Sequence, residues 1–265
     1  MKKIIIQATI IVLFFLGVWF TLKQIKWLDL FKVEDITYKT EQKLGELFWE
    51  IYKNTEVEIT SNHIVSAVDS LVVCICKANN IDKDKLKIHI VKNNEINAFT
   101  FPDRHLVVNS NLILNSDYQE ELLGVICHEI AHIELNHVMN KLIKEIGLSV
   151  LISMSTGNVG TEVLKETVKI LSSTAFDRNT EKEADMKAVD YLLKANLNPE
   201  YFAGFLKRLS VKEKQESKYL VWISTHPDSE ERAKYISTSI KNKKYRYKQV
   251  LSIDKWFKLK EDLRK

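Results

Sequence analysis

Residues 122–135 read LLGVICHEIAHIEL, an apolar run interrupted by His128, Glu129, His132 and Glu134. Leu122, Leu123, Val125, Ile126, Ile130, Ile133 and Leu135 recur at three- and four-residue intervals, which predicts a helix with a broad apolar face. Asn115, Ser116 and Asp117 stand just before it and offer cap oxygens to begin it. Residues four apart on a helix lie one above the other, so the His128 and His132 rings can close on one ion while Glu129 projects beside it. In a chain of 265 residues with seven His, composition alone yields this spacing about 0.015 times. That is too rare for two merely packed or solvated histidines, and zinc is the natural occupant of such a pair.

Catalytic zinc takes three protein ligands and keeps one position open. A third His six residues past the second, with an intervening Gly, is ruled out because Leu135 and Val138 hold those places. His137, five residues past His132, turns well off the binding face and reads as a surface or packing residue. A carboxylate from EKEAD at 181–185 remains. Glu181 and Asp185 share a helix face there, so Glu181 can bind the metal while Asp185 accepts the ring N–H of a ligand histidine, with Glu183 pointing elsewhere.

Around these motifs, periodicity predicts helices over 34–55 and 61–78, near 161–172, and over 180–195, where Asn198-Pro199 stops one helix and restarts the next. Leu86, Ile88 and Ile90 alternate as in a half-buried strand, and the runs 96–101 and 105–109 flank Pro102-Asp103 as a hairpin. The expected fold class is α+β, predominantly helical, with a small antiparallel sheet. A chain with 45% hydrophobic and 28% charged residues but only 7 Gly and 3 Pro can build a sizeable core, which excludes disordered, collagen-like and many-turned all-β classes. Three cysteines make no disulfide framework.

A net charge of +4 is too small to argue for nucleic acid, and no such partner is expected. The charge is uneven, however: residues 241–265 carry ten Lys/Arg against three Asp/Glu, interleaved with Tyr245, Tyr247, Trp256 and Phe257. Without an accompanying nucleic-acid motif this reads as a solvated, lightly packed C-terminal segment. At the other end, residues 4–22 (IIIQATIIVLFFLGVWFTL) hold nineteen positions without a charge, enough helix to cover nearly the ~30 Å of a hydrocarbon core. Lys2, Lys3, Lys23 and Lys26 flank the run, with Trp19 and Trp27 at headgroup positions. No small-x-small site follows it, so an uncleaved transmembrane anchor is expected, a cleaved signal being the competitor. A short basic head before one apolar span places the bulk of a single-pass chain on the extracytoplasmic side. The expected organisation is an anchor with its flank at 1–30, a metal-binding domain at 31–240 and a basic segment at 241–265.

HEIAH followed by EKEAD, which fits E-x-x-A-D, resembles the membrane-associated zinc metallopeptidases of the HtpX-like and CAAX-prenyl-protease-like gluzincins. Asn97-Ala98-Phe99 and Val107-Val108-Asn109 are similar to that family's N-A-F…V-N strand, and Ser224-Thr225-His226-Pro227 with Arg232 is similar to its H-P…R segment. The resemblance spans residues 34–240 and implies a zincin-like fold with one Zn2+ per chain on His128, His132 and Glu181. It further implies a zinc endopeptidase acting on unfolded or flexible proteins at a membrane, in protein quality control. Glu129 is then the general base, His226 stabilises the tetrahedral oxygen, and Arg232 orients the substrate backbone or supports the site. Asn97, Ala98 and Phe99 offer an edge on which an extended substrate adds as a strand. The extra spans of HtpX and the multi-pass core of the prenyl proteases are missing, so the layout is closer to single-anchor or periplasmic members. The alternative is a membrane-tethered, chaperone-like binding factor whose zinc site is occluded by His226 or by residues 147–160.

Overall fold

The computed structural model describes residues 33–213, 221–241 and 247–265, together with Gln7, Phe15 and Leu16. Residues 1–40 and 41–265 form separate units, and the second contains the sheet and the candidate site. The anchor expected at 1–30 lies, apart from those three positions, outside the described residues. No described helix is long and apolar enough to cross a membrane.

Four strands, β1 (Val57–Glu58), β2 (Lys87–Lys92), β3 (Ala98–Phe101) and β4 (His105–Asn109), form one sheet in the order β1-β2-β4-β3. The expected hairpin is present, with Phe101 paired to His105 across Pro102–Arg104. The sheet itself is mixed rather than antiparallel, because β2 and β4 run parallel, Ile88 opposite Leu106 and Ile90 opposite Val108. The link 93–97 carries the chain past an empty lane that β4 then fills. Hydrogen bonds from Asn109 N to Asn97 O (3.1 Å) and from Asn111 N to Asn93 O (3.3 Å) fasten it there. As a central strand, β4 is buried on both faces.

Helices α1 (Val33–Lys53) and α2 (Asn62–Asn79) precede β2. After β4 come α3 (Ser110–Asn115), α4 (Gln119–Glu134), α5 (His137–Glu145), α6 (Leu148–Ser155), α7 (Thr161–Ser173), α8 (Arg178–Lys194), α9 (Glu200–Glu213), α10 (Val221–Thr225), α11 (Ser229–Ile240) and α12 (Ile253–Leu263). Strand alternation divides the core. Ala98, Ile90, Leu106 and Val108 pack with α2, α4, α8, α9 and α12, whereas Val91, Phe99, Phe101 and Val107 pack with Leu44, Phe48 and Trp49 of α1 and with α5 to α7. Helix α4 lies between the sheet and α8 and α9, and residues 119–133 are buried along their whole length. At Gly124 a Cβ would stand 2.5 Å from the Phe202 side chain, so only glycine admits α9 this close.

The cap expected before α4 differs. Asn115 Nδ2 donates to Asn111 O and Ser116 Oγ to Leu112 O, which spends these side chains on the end of α3. The N-cap residue is Tyr118, without a side-chain cap bond. Glu121, held by Arg208 Nη1 and Nη2 at 2.6 and 2.7 Å, reaches back to accept from Asp117 N (2.7 Å). The described residues 247–265 of the C-terminal segment are packed rather than loosely solvated. Gln119 exchanges bonds with Leu251 (Nε2 to O 2.9 Å, Oε1 from N 2.8 Å). Trp256 Nε1 and Lys260 Nζ donate to the carbonyls of Asp117 and Ser116, and Leu251, Trp256 and Leu259 join the core. Trp256, Leu259 and Leu263 form one stripe of α12, a periodicity that the surrounding lysines and the exposed Ile253 and Phe257 obscure.

Candidate active site

Helix α4 presents His128 and His132 on one face, their Nε2 atoms 3.0 Å apart. Asp177 caps α8 by accepting from Asn179 N and Thr180 N, both at 3.1 Å, which sets Glu181 in the first turn and Asp185 one turn on. The packing of α8 on α4 brings Glu181 Oε2 to 3.5 Å from His128 Nε2 and Glu181 Oε1 to 3.4 Å from His132 Nε2. On the other edge of His128, Nδ1 lies 2.8 Å from Asp185 Oδ1. Asp185 in turn accepts from Arg232 Nε (2.8 Å) and Nη2 (2.7 Å) and from the Tyr235 hydroxyl.

His226 follows α10 and lies among the same groups, with Nδ1 2.9 Å from Glu181 Oε1 and Nε2 3.3 Å from Glu129 Oε1. One ligand atom from each of His128, His132, Glu181 and His226 falls within 4.8 Å of the others, and all four residues are buried. Arg232 Nη1 donates to His226 O at 3.0 Å, so this guanidinium braces the interior of the site. Asn97, Ala98 and Phe99 are buried at the start of the edge strand β3, and the carbonyl of Ile96 just before them already accepts from Trp222 N at 3.2 Å.

The residues suit a divalent cation. Three imidazoles and a carboxylate are a borderline-soft donor set of the kind zinc takes. Glu181 Oε2 and Glu129 Oε1 are both buried and accept no well-formed hydrogen bond, although Arg232 Nη1 approaches the former to 2.9 Å. Burial works against every charge here and is outweighed at Glu129, Glu181, Asp185 and His128 but not at His132. Glu181 is held well below the usual carboxylate range by His226, Arg232 and His128, and Asp185 by Arg232 and His128. The imidazole of His226 keeps Glu129 low. Burial depresses His128 too, but the Glu181 and Asp185 charges hold it up at about 9; burial and then the charge on His128 push His132 down to about 4.

Several neighbours were not legible beforehand. Phe176 stacks on His132 with ring centroids 4.2 Å apart, Trp222 stacks on His226 at 4.8 Å, and Tyr235 braces Asp185. His137 is buried, in line with a packing rather than a surface reading, and meets His132 directly, Nδ1 to Nδ1 at 3.0 Å. The helix is not continuous there. Leu135 ends α4, Asn136 takes a left-handed conformation (φ 56°), and α5 starts back at His137. An Asn just past the last apolar residue is the signal that could have marked this stop.

A family model for peptidase family M48 matches residues 61–240, which include every residue of the site described above. The chain belongs to that family. Beta-barrel assembly-enhancing protease from Escherichia coli O157:H7 is 25% identical over 207 residues, covering 72% of this chain and 42% of that protein. The Yersinia pestis protein of the same name is 26% identical over 165 residues (58% and 34%). Mitochondrial metalloendopeptidase OMA1 from Bos taurus is 26% identical over 212 residues (74% and 40%). The chain spans less than half the length of these relatives. The M48 family is the one anticipated from HEIAH and EKEAD.

Proposed function

We propose that the chain is a zinc-dependent endopeptidase that hydrolyses peptide bonds in unfolded or flexible proteins at a membrane, as part of protein quality control. The observation that carries this reading is the convergence of His128, His132 and Glu181 on one point, with the ionised Glu129 carboxylate beside it. These three residues would hold one zinc ion, which would supply Lewis-acid chemistry and bring the pKa of water from 15.7 to roughly 7. Glu129 takes the proton of the attacking water and delivers it to the leaving amine. Asp185 fixes the proton of His128 on Nδ1, and Arg232 holds Asp185 in place. His226, within reach of Glu129, is the donor toward the oxygen that gains charge, and the edge of β3 at Asn97, Ala98 and Phe99 takes the extended substrate. The apolar run at 4–22 supports a single-pass anchor, with the catalytic unit on the extracytoplasmic side.

Glu129→Gln is expected to abolish casein cleavage while zinc content stays at that of the wild type. Equal cleavage by the purified variant, or no zinc in the wild type, refutes the reading. A second reading, a membrane-tethered binding factor that cleaves rarely, is favoured by one observation. His128, Glu129, His132, Glu181 and His226 are all buried, and Trp222 occupies the Ile96 carbonyl at the head of β3. In this arrangement the groups that would act on a peptide bond are covered, Trp222 and Phe176 stacking on His226 and His132. Retention of cellular function by a Glu129→Gln strain distinguishes this reading from the first.

A further inference from the structure

His132 has two ring nitrogens in different surroundings. Nε2 faces the cluster, 3.0 Å from His128 Nε2 and 3.4 Å from Glu181 Oε1. Nδ1 faces away, and among the described residues its hydrogen-bond partner is His137 Nδ1 at 3.0 Å. An imidazole that gives its Nε2 lone pair to a cation carries its proton on Nδ1. Inside a fully buried site that N–H needs an acceptor, or the group is left unsatisfied at about 1–3 kcal/mol.

We propose that His137 is a positioning residue for the metal centre: it accepts the Nδ1–H of His132 and thereby fixes the tautomer and the ring plane of this ligand. This rests on the zinc reading above. The proton of His137 then resides on Nε2, which points toward Glu183 Oε2 at 3.6 Å, so the sequence of partners is His132, His137, Glu183. Phe176, stacked on His132, limits the ring from its face while His137 limits it from its edge. The break at Leu135–Asn136 makes this possible. In an unbroken helix a residue five positions on is rotated by roughly 140° away from His132, whereas the left-handed Asn136 turns the first residue of α5 back against it. The two ligand histidines are therefore supported differently. His128 leans on a buried carboxylate locked by Arg232, and His132 leans on a neutral imidazole backed by an exposed glutamate.

The test is the rate of zinc release from the full chain into excess chelator, for wild type, His137→Leu and His137→Asn. Asn places an amide oxygen near the position of His Nδ1 and can accept the same proton; Leu cannot. His137→Leu is expected to release zinc roughly 10–100-fold faster, and His137→Asn within about threefold of wild type. Release from His137→Leu at the wild-type rate, or equal acceleration in both variants, overturns the proposal. Should His137→Leu fail to fold, 15N NMR of the zinc-loaded wild type decides. A coupling across the hydrogen bond between the two Nδ1 nuclei is expected, and a proton on His132 Nε2 overturns the proposal. A wild-type chain that takes up no zinc overturns this and the peptidase reading together. A chain that binds zinc and cuts casein, yet is indifferent to residue 137, overturns this alone.

Discussion

Asp185→Asn changes no volume and removes one buried charge. Asp185 receives four donors: Arg232 Nε at 2.8 Å and Nη2 at 2.7 Å, His128 Nδ1 at 2.8 Å and the Tyr235 hydroxyl. Breaking a buried ion pair by removing one partner costs about 3–5 kcal/mol, because the other charge is left uncompensated. Here Arg232 keeps Glu181 at 2.9 Å and the His226 carbonyl at 3.0 Å, which places the expected loss near the lower end, about 3 kcal/mol. With a urea m-value of about 3 kcal/mol/M, the midpoint should fall by about 1 M at unchanged m. Tyr235→Phe, which removes one donor and leaves the charge pair, should cost about 1 kcal/mol, a third of that. Tryptophan fluorescence during urea unfolding of the metal-free chain reads both. If Asp185→Asn moves the midpoint less than Tyr235→Phe does, Asp185 is not the counter-charge that holds Arg232, and the account of the site's interior is wrong.

Gly124→Ala drives a methyl to within 2.5 Å of Phe202 and should destabilise the chain by about 1–3 kcal/mol, read as a lower urea midpoint. Trp256→Ala should cost about 3–5 kcal/mol if the C-terminal helix is part of the core, and nearly nothing if it is a loose tail. Burial, followed by the charges of Lys87 and His89, pushes His105 down from 6.5 to about 3. The unfolded chain therefore takes up this proton first as pH falls. The stability conferred by neutral His105 is complete above pH 6.5 and is lost between 6.5 and 3, at up to about 1.4 kcal/mol per pH unit. His105→Phe should flatten that slope in urea titrations at stepped pH, and an unchanged slope contradicts it.

The parts of the fold legible in the sequence are those whose signal is local. The amphipathic period of α2, the Pro102-Asp103 turn and the four-residue spacing of the metal motif each depend on neighbours within a few positions. The parallel pairing of β2 with β4 depends on which lane the chain takes after Asn93, which no local pattern encodes. Trp256 and Leu259 show the same limit: their stripe is visible only once α2 and α3 supply a surface for it. At the site, the residue types and spacings of His128, His132, Glu181 and Asp185 were readable because one helix face brings each pair together. Tyr235, Phe176 and Trp222 were not, because each reaches the site from a separate element and carries no metal chemistry of its own. His137 was readable as a packing residue, but its contact with His132 was not, since that depends on the left-handed residue at Asn136.

The charges around the cluster limit what it can hold. Glu129, Glu181 and Asp185 are all held ionised in the interior against burial, with Arg232 in contact with Glu181 and Asp185 and the Lys141 ammonium acting on Glu181 and Glu129 from farther off. Arg232 pairs with two of the three carboxylates, and an uncompensated charge in such a region costs several kcal/mol. The Glu181 and Asp185 charges hold the buried His128 imidazole up at about 9 against the effect of burial. His132 is pushed down to about 4 by burial and then by the charge on His128, whose Nε2 lies 3.0 Å from its own. A dication would add positive charge where the carboxylates converge and would hold both rings in the neutral form in which imidazole binds metal.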